Sequence, residues 1–262
     1  MAKVTFPKYG EKHELTPLFE PSKVFGRVRT KANIPKKVIL IYSRKLAYVW
    51  ERELKLRRDR YLTGRLVNAI AVYRSKMLKN TIVVLIGIGA PITAVVTEEL
   101  ISFGAEEFLI MGAAGALNKK LDFADFVICT KAVRDEGTSH HYLKNSIFVE
   151  PDAQLTKKLE AAATHNKGGL FKGPTWTIDA PYRETAHEVA HYRNKGVLTV
   201  EMEAAALFAV AKKKKAKAAA LFVISDLLDP EGWSGFAHGG RIKRKRFGYP
   251  VMAKIAISID RL

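Results

Sequence analysis

The sequence has a single cysteine and no hydrophobic run long enough to cross a membrane. Cys129 alone cannot form an internal disulfide, which excludes a disulfide-stapled secreted domain and fits a reducing compartment. No window approaches the roughly 20 apolar residues of a membrane span. The first residues, MAKVTFPKYGEKHE, lack the apolar stretch of a secretory signal. We therefore expect a cytoplasmic protein without a membrane segment.

Acidic residues are also scarce, because 26 Asp and Glu face 44 Lys and Arg and leave a formal net charge of +18. A field of this sign attracts anionic substrates or polyanions such as nucleic acid. The basic runs at 51–60, 211–217 and 241–246 are scattered, and no nucleic-acid-binding motif accompanies them. A solvated basic surface is the favoured interpretation, and nucleic-acid binding is the alternative.

What the sequence does contain is typical of one folded α/β domain, with 48% hydrophobic residues. The alternation of strand-like and helix-like segments predicts an α/β fold with a largely parallel sheet in a single domain over 1–262, in which 1–34 form an irregular N-terminal arm. The predicted strands are KKVILIYS (36–43), TIVVLIGIGAP (81–91), EEFLIMGAAGAL (106–117), DFVICTKAVRDEG (125–137) and KAAALFVISDLLD (217–229).

Helices are predicted between these strands. One follows Ser43, and another opens at Pro91 and is closed by Gly104. Three further segments have helical patterns: LTKKLEAAATHN, TVEMEAAALFAVAKKKKA and KRFGYPVMAKIAISI. The segment TGRLVNAIAVYRSKM fits either an amphipathic helix or a strand–helix pair. We expect the glycines of IGIG and MGAAG to form turns at the ends of their strands.

The carboxyl ends of the predicted strands carry the candidate functional residues, because α/β sheets bind ligands there. Gly87 and Gly89 lack the third glycine of a dinucleotide fingerprint, so they form either a tight turn or a ligand contact. Asp226, after a buried strand, is either a structural cap or a general acid. Glu201 and Glu203 either cap a helix or bind vicinal hydroxyls.

Two other chemistries are not supported by the pattern. His140 and His141 stand next to each other without the spacing of a metal site, so no metal is predicted. Ser139, His141 and Asp226 have the residue types of a Ser-His-Asp hydrolase, but the sequence has no G-x-S-x-G elbow.

Taken in order, these segments resemble one family: the nucleoside phosphorylase superfamily, which includes purine nucleoside phosphorylases, uridine phosphorylases and related nucleosidases. The resemblance runs from about residue 36 to the C terminus. It is carried by the two glycine segments IGIGAP and MGAAGAL, by AVRDEGTSHHYL, and above all by TVEMEAAALFAVA followed at the family's spacing by VISD. The segment 177–184 is also similar to a stretch of AMP nucleosidase.

The resemblance implies a three-layer α/β/α sandwich with a twisted mixed sheet. It implies that Asp226 is the catalytic acid that protonates the leaving base, which favours a purine. It also implies that Glu203 accepts hydrogen bonds from the ribose hydroxyls, that Met202 packs under the sugar, and that Tyr182 or Trp176 stacks on the base. The implied substrate-binding residues are Glu203, Met202, Glu201, Tyr182, Trp176, Ser225 and Gly115.

The sequence departs from the family at the phosphate site. Phosphorolytic members carry Gly-Asp-Pro-x-Arg after the first strand, where this chain has YSRK, and an Arg and a Thr or Ser where it has Ile110 and Ala113. Backbone N–H groups of the glycine segments, other side chains of this chain or an Arg of a neighbouring subunit could hold phosphate instead. The expected phosphate-binding residues of this chain are Gly87, Gly89, Gly112, Arg134 and Thr138. His13 is a further candidate to act across a subunit interface.

The sequence thus predicts a homo-oligomeric nucleoside phosphorylase, from dimer to hexamer, that cleaves the N-glycosidic bond of a nucleoside, with a purine favoured. Inorganic phosphate is the co-substrate, no cofactor is expected, and the products are the free base and a sugar 1-phosphate. One alternative is a nucleosidase that uses water, which Ile110 and Ala113 suggest. Another is a catalytically inactive, basic nucleic-acid-binding protein, which the net charge suggests.

Overall fold

The computed structural model describes residues 12–24, 34–67, 69–164, 169–229, 231–235 and 242–262. Within these ranges one mixed sheet contains eleven strands. They are β1 (Lys37–Ile41), β2 (Arg57–Arg58), β3 (Ala69–Ser75), β4 (Leu78–Ile86), β5 (Glu107–Ala116), β6 (Phe126–Asp135), β7 (Phe148–Val149), β8 (Leu170–Ile178), β9 (Thr199–Glu201), β10 (Lys217–Asp229) and β11 (Gly232–Gly235).

Helices connect these strands and cover both faces of the sheet. They are α1 (Arg44–Glu53), α2 (Arg60–Thr63), α3 (Ala90–Ser102), α4 (Ala153–Ala163), α5 (Ala186–Asn194), α6 (Ala204–Lys213) and α7 (Ile242–Asp260). None of the described helices is both long and apolar enough to cross a bilayer.

The strand order is β11-β10-β6-β8-β9-β5-β1-β4-β3-β2, with β7 paired to β6. Strand β1 runs parallel to β4 and β5, and β10 runs parallel to β5. Because β5 pairs with both β9 and β10, the strands β5, β10, β6, β8 and β9 close into a ring. The ring brings the ends of β5, β9 and β10 together, and this positions the site described below.

Two apolar cores confirm the three-layer arrangement. Side chains alternate between the two faces of a strand, and the buried residues of β1, β4, β5 and β10 divide accordingly. Odd-numbered positions such as Ile39 and Val83 pack against α1, α4 and α7. Even-numbered positions such as Val38 and Val84 pack against α3 and α6. The central strands are therefore buried on both faces, which explains their continuous apolar runs.

Most helix boundaries follow from local signals. Ser43 caps α1 by accepting a hydrogen bond from the Leu46 N–H. Pro91 lies in the first turn of α3, as predicted, and Gly104 follows that helix with a φ of +106°.

The structure also corrects several sequence predictions. MGAAGA does not turn, because β5 continues to Ala116 through both glycines. TVEMEAAALFAVA is not one helix, since Glu201 ends β9 before α6 begins at Ala204. The segment 63–77 ends α2 and then forms β3, and the strand β8 was not predicted. In the N-terminal arm, Lys12–Glu14 and 21–24 form single helical turns; residues 1–11 and 25–33 lie outside the described residues.

Candidate functional site

A cleft of about 200 Å³ lies beside the middle of β5, where β1 and β9 end and α6 begins. Parallel strands put their carboxyl ends at one edge of a sheet, which is where α/β folds bind ligands. The cleft brings together three of the residues implied for the sugar, Glu201, Met202 and Glu203, with Gly112 of the expected phosphate site. The remaining lining residues are Tyr42, Ser43, Ile88, Ile110, Ala113 and Phe222.

Two larger clefts, of about 540 and 470 Å³, lie near the amino ends of β1, β4 and β5. Their linings are mostly basic and polar, and they share Arg74 and Lys79. The buried Lys37 in the first of them donates to the carbonyl oxygen of Ile259, so it is used within the fold. The smaller cleft is the better candidate, because two buried carboxylates, Glu201 and Glu203, line it.

Glu203 connects the two helices that frame this cleft. It is the N-cap residue of α6, and its Oε1 accepts a 2.7 Å hydrogen bond from the N–H of Gly89, the residue that precedes α3. Burial, with the neighbouring Glu201 carboxylate, raises the pKa of Glu203 well above the usual range. The site therefore contains a buried carboxyl that ionises less readily than a surface glutamate.

The carboxylate of Glu201 is used inside the protein. Its Oε1 accepts from the Thr177 hydroxyl at 2.6 Å, and its Oε2 accepts from the N–H groups of Glu203 and Ala204 at 2.8 and 2.7 Å. Burial raises the pKa of Glu201, and these three hydrogen bonds act in the opposite direction. The structure thus assigns Glu201 the capping role, of the two that the sequence left open, although its side chain also lines the cleft.

Asp226 lies further along the strand that carries Phe222 into the cleft. The two positions are four residues apart along the strand, about 13 Å. Its Oδ1 accepts a 2.5 Å hydrogen bond from the Ser225 hydroxyl, so the two side chains of the predicted Ser-Asp pair are in contact. Gly115 of β5 is the strand neighbour of Asp226 and also of Val200 in β9. Gly115 therefore lies between Asp226 on one side and Val200, the residue before Glu201, on the other.

The loop after β8 contains one residue that the sequence analysis left without a role. Glu184 follows the short turn Pro181–Arg183 and is half-buried. Burial, followed by the negative charges of Asp226 and Glu188, raises the pKa of Glu184 to about 7. Glu184 is thus a second carboxyl at the Asp226 end of the site. A glutamate in a loop gives no sequence signal for this, because its partner lies 42 residues away.

The two aromatic residues expected to stack on a base have opposite environments. Tyr182 is 99% exposed. Trp176 is 0% exposed, lies 4.6 Å from the Tyr192 ring between centroids, and donates its indole N–H to Asp135. This corrects the expectation for Trp176: its ring belongs to a core cluster and does not face a ligand.

Two of the expected phosphate ligands are also used within the fold. The Arg134 guanidinium makes four hydrogen bonds, to the hydroxyls of Ser139 and Ser146 and the carbonyls of Leu143 and Lys144. Arg134 therefore organises the loop after β6. The N–H of Gly89 is bound by Glu203. Both findings correct the corresponding expectations, because a donor already bound inside the protein is not available to an anion.

Of the other expected phosphate residues, Gly112 lines the cleft, and none of them adds a charge. Gly112 lies within β5, and Gly87 follows β4 at a place where a Cβ would lie 2.9 Å from the Ile92 side chain. Thr138 begins the turn Ser139–His141. Among the described residues, no lysine or arginine lines the cleft. The arginine nearest in sequence to a lining residue is Arg44, which follows Ser43. Its side chain is exposed.

The turn that carries His13 packs against other parts of the same chain. Lys12 contacts His141 at 3.0 Å, and Lys213 donates to the carbonyl of His13, so the turn Lys12–Glu14 is attached to the loop after β6 and the end of α6. Among the residues that the structure describes, no three His, Cys, Asp or Glu side chains form a group that could hold a metal ion.

The chain is similar to known proteins in sequence and in fold. The model of the "Phosphorylase superfamily" matches residues 51–243. A guanosine phosphorylase of Halorubrum lacusprofundi is 36% identical over 138 residues, which are 53% of this chain and 57% of that protein. A DeoD-type purine nucleoside phosphorylase of an Exiguobacterium species is 30% identical over 145 residues, or 54% and 61%.

A uridine phosphorylase of Thermococcus kodakarensis is 32% identical over 138 residues, which are 48% of this chain and 50% of that protein. This chain thus spans about half to three-fifths of the length of these curated relatives. Among solved structures, uridine phosphorylase of Vibrio fischeri superposes with a TM-score of 0.70 at 19% identity, covering 87% of this chain and 92% of that one. The superposition confirms the fold.

Proposed function

The chain belongs to the phosphorylase superfamily, and we propose that it is a nucleoside phosphorylase that acts on a purine nucleoside. The reaction breaks the bond between the sugar C1′ and the base, adds inorganic phosphate at C1′ and releases the free base. The relatives named guanosine phosphorylase and purine nucleoside phosphorylase support this proposal. The observation that carries it is the buried Glu203 in the cleft, joined through Gly115 to the Ser225–Asp226 pair.

The sugar is held by the Glu203 end of the site. Cleavage of the glycosidic bond passes through an oxocarbenium-like sugar, so the sugar must be fixed while its bond to the base stretches. The ionised Glu203 carboxylate accepts hydrogen bonds from the ribose hydroxyls, and Met202 packs against the sugar. Gly89 keeps the carboxylate in place through its N–H. Fixing the sugar in this way lowers the barrier by prior orientation.

The base is held by the Asp226 end. A purine leaves poorly as an anion, and a proton delivered to N7 as the C1′–N9 bond breaks lets it leave neutral. Asp226 supplies that proton, and the hydrogen bond from Ser225 orients its carboxyl. Glu184 lies on the same side and supplies an acceptor for an N–H group of the base.

Hydrolysis is the second candidate, because no lysine or arginine of the described residues lines the cleft. A phosphate dianion near Glu201 and Glu203 needs a positive charge, whereas water does not. For phosphorolysis we infer that the cation comes from Arg44 at the start of α1 or from a second subunit of a homo-oligomer. We also infer that the enzyme works in the cytoplasm, where nucleosides and phosphate are available.

The test is base release from guanosine, inosine, adenosine, uridine and AMP, with and without phosphate. We expect guanosine or inosine to be cleaved only with phosphate and to yield a sugar 1-phosphate. Equal release without phosphate supports the nucleosidase. Asp226→Asn and Glu203→Gln should each lower kcat/KM about 100-fold or more, whereas Glu160→Gln, in α4 and paired with Lys172, should not. Full activity in both site variants contradicts the assignment.

A further inference from the structure

Asp226 occupies a niche between two glycines. In the register of the sheet its neighbour on β5 is Gly115, and its neighbour on β11 is Gly235. A Cβ at Gly115 would overlap the Leu228 side chain and lie 2.8 Å from Oδ2 of Asp226, closer than real Cβ atoms approach other atoms. A shift of register between Ile224 and Asp226 leaves Ser225 as a bulge. The absence of two side chains and the bulge give the carboxyl its room and its orientation.

Trp233 closes this niche from the solvent side. It lies on β11 opposite Leu228, and its indole N–H donates to Oδ2 of Asp226 at 3.1 Å. Its ring covers Gly235 so closely that a Cβ there would overlap it. Trp233 is nevertheless 60% exposed, so burial alone does not explain why this large ring lies on the strand hairpin.

We propose that Trp233 is a positioning residue for the acid Asp226, that Gly235 is a glycine because it makes room for the indole, and that Gly115 makes room for Asp226 together with Leu228. The inference rests on the proposed function, since it assigns Trp233 a part in protonating the leaving base. Ser225 donates to Oδ1 and Trp233 to Oδ2, so each carboxyl oxygen has one fixed partner. Two such hydrogen bonds fix the plane of the carboxyl, and lone pairs remain free on both oxygens.

The step that Trp233 assists is a balanced proton transfer. The carboxyl proton of Asp226 moves to N7 of the purine while the C1′–N9 electron pair moves to the base. A phosphate oxygen bonds to C1′; in the hydrolytic case a water oxygen does so, and the water releases one proton to solvent. Asp226 is left ionised and regains its proton from solvent. The indole N–H stays on Trp233 throughout, so the residue holds the acid and does not replace it.

The test compares guanosine with 7-methylguanosine, whose base already carries a positive charge and leaves without protonation. Trp233→Phe removes the N–H and keeps a ring. We expect it to lower kcat on guanosine about 10-fold or more, with less than a 2-fold change on 7-methylguanosine. Asp226→Asn should likewise lower kcat on guanosine much more than kcat on 7-methylguanosine. Equal loss on both substrates, or no loss on either, overturns the inference, because a purely structural role does not distinguish the leaving groups.

A second variant displaces the indole without removing its N–H. In Gly235→Ala the added Cβ takes the place of the Trp233 ring, so the same selective loss on guanosine is expected. Ser234→Ala is the matched control, because Ser234 is exposed and lies between Trp233 and Gly235. It should leave kcat on guanosine and on 7-methylguanosine unchanged.

The contact itself has a readout that needs no activity. The ¹⁵N–¹H resonance of the Trp233 indole should shift in Asp226→Asn and stay in place in Ser234→Ala. If the resonance does not shift in Asp226→Asn while the wild type cleaves guanosine, the inference is overturned and the proposed function stands. If the resonance responds but no nucleoside is cleaved by the wild type, the proposed function fails, and the role of Trp233 in catalysis fails with it.

Discussion

Glu203 illustrates, at the scale of one residue, how a site can oppose the stability of the fold. Its carboxyl is buried next to Glu201, and both conditions disfavour the charged form. Hydrogen bonds from ribose hydroxyls are stronger to that charged form. The protein therefore keeps a carboxyl that stabilises the proposed substrate complex but costs folding free energy above the pH at which an ordinary glutamate ionises.

This conflict predicts that Glu203→Gln raises stability while it lowers activity. With a raised pKa in the folded state, the unfolded chain ionises first as pH rises, so the wild type loses stability from about pH 4.3 upward. Glutamine keeps an acceptor for the Gly89 N–H and has no charge to bury. The variant should be more stable than wild type by on the order of 1–2 kcal/mol at pH 8. Thermal unfolding at pH 8 and at pH 4 measures the difference, which should disappear at pH 4.

The control for this experiment is Glu160→Gln on α4. Glu160 lies near the surface and forms an ion pair with Lys172, so its replacement removes an exposed charge without relieving a buried one. It should not show the gain at pH 8. A Glu203→Gln protein that is less stable than wild type at both pH values would mean that the carboxylate stabilises the fold in its charged form.

At this scale the sequence predicted residue types better than residue environments. Glu203 and Asp226 could be singled out because carboxylates at strand and helix ends carry chemistry. Trp176 and Arg134 could not be excluded, because nothing in their local sequence shows that Tyr192 covers the one and that the loop carbonyls bind the other. Trp233 was missed for the related reason that its importance depends on a strand pairing with Asp226.

At the scale of an element, the turn between β4 and α3 determines where Glu203 lies. Gly89 has φ +108° and ψ 155°, a conformation that residues with a side chain rarely adopt. In this conformation its N–H points to the Glu203 carboxylate, and α3 starts at the next residue. A glycine here is needed for the backbone conformation, and the backbone conformation is needed for the site.

Gly89→Ala should therefore reduce both stability and activity. The positive φ imposes strain of about 1–3 kcal/mol on alanine, and relief of that strain moves the N–H away from Glu203. We expect kcat/KM for the nucleoside to fall about 10-fold or more. The matched control is Gly104→Ala at the other end of α3, where φ is +106° and a Cβ would meet nothing within 4 Å. It should cost similar stability, by urea unfolding, and leave kcat/KM unchanged; equal losses of activity contradict the prediction.

The elements themselves were predictable where a local signal exists. Ser43, Pro91 and Gly104 mark helix ends, and the apolar runs of β1 and β4 can only be buried strands. The prediction failed where tertiary pairing overrides local chemistry. The glycines of MGAAGA look like a turn, yet they remain in β5 because β10 pairs along that strand from Glu107 to Ala116. The sequence around Glu201 looks helical, yet Thr199–Glu201 forms strand β9 because it pairs with β8 and β5.

At the scale of the whole molecule, the closed ring of strands joins segments that are far apart in sequence. Gly115 meets Val200 on one side and Asp226 on the other, so the proposed sugar and base ends of the site become neighbours only when the ring closes. Composition and periodicity can indicate α/β layers, but they carry no information about that closure. The order VEMEAA…VISD indicates the two ends only through resemblance to proteins that share the pairing.

The distribution of charge gives the last prediction, at the same scale. The chain carries a net charge of +18, yet the described lining of the cleft contains two glutamates and neither lysine nor arginine. If a second copy of the chain supplies the missing cation, phosphate-dependent base release should require assembly. Specific activity should then fall when the protein is diluted below the concentration at which sedimentation shows the oligomer dissociating, and the KM for phosphate should rise before kcat falls. Arg44→Ala should leave this dilution curve unchanged. A monomer with full phosphate-dependent activity that Arg44→Ala abolishes would place the cation on α1 of the same chain, because the exposed guanidinium beside Ser43 would then be the charge that offsets Glu201 and Glu203.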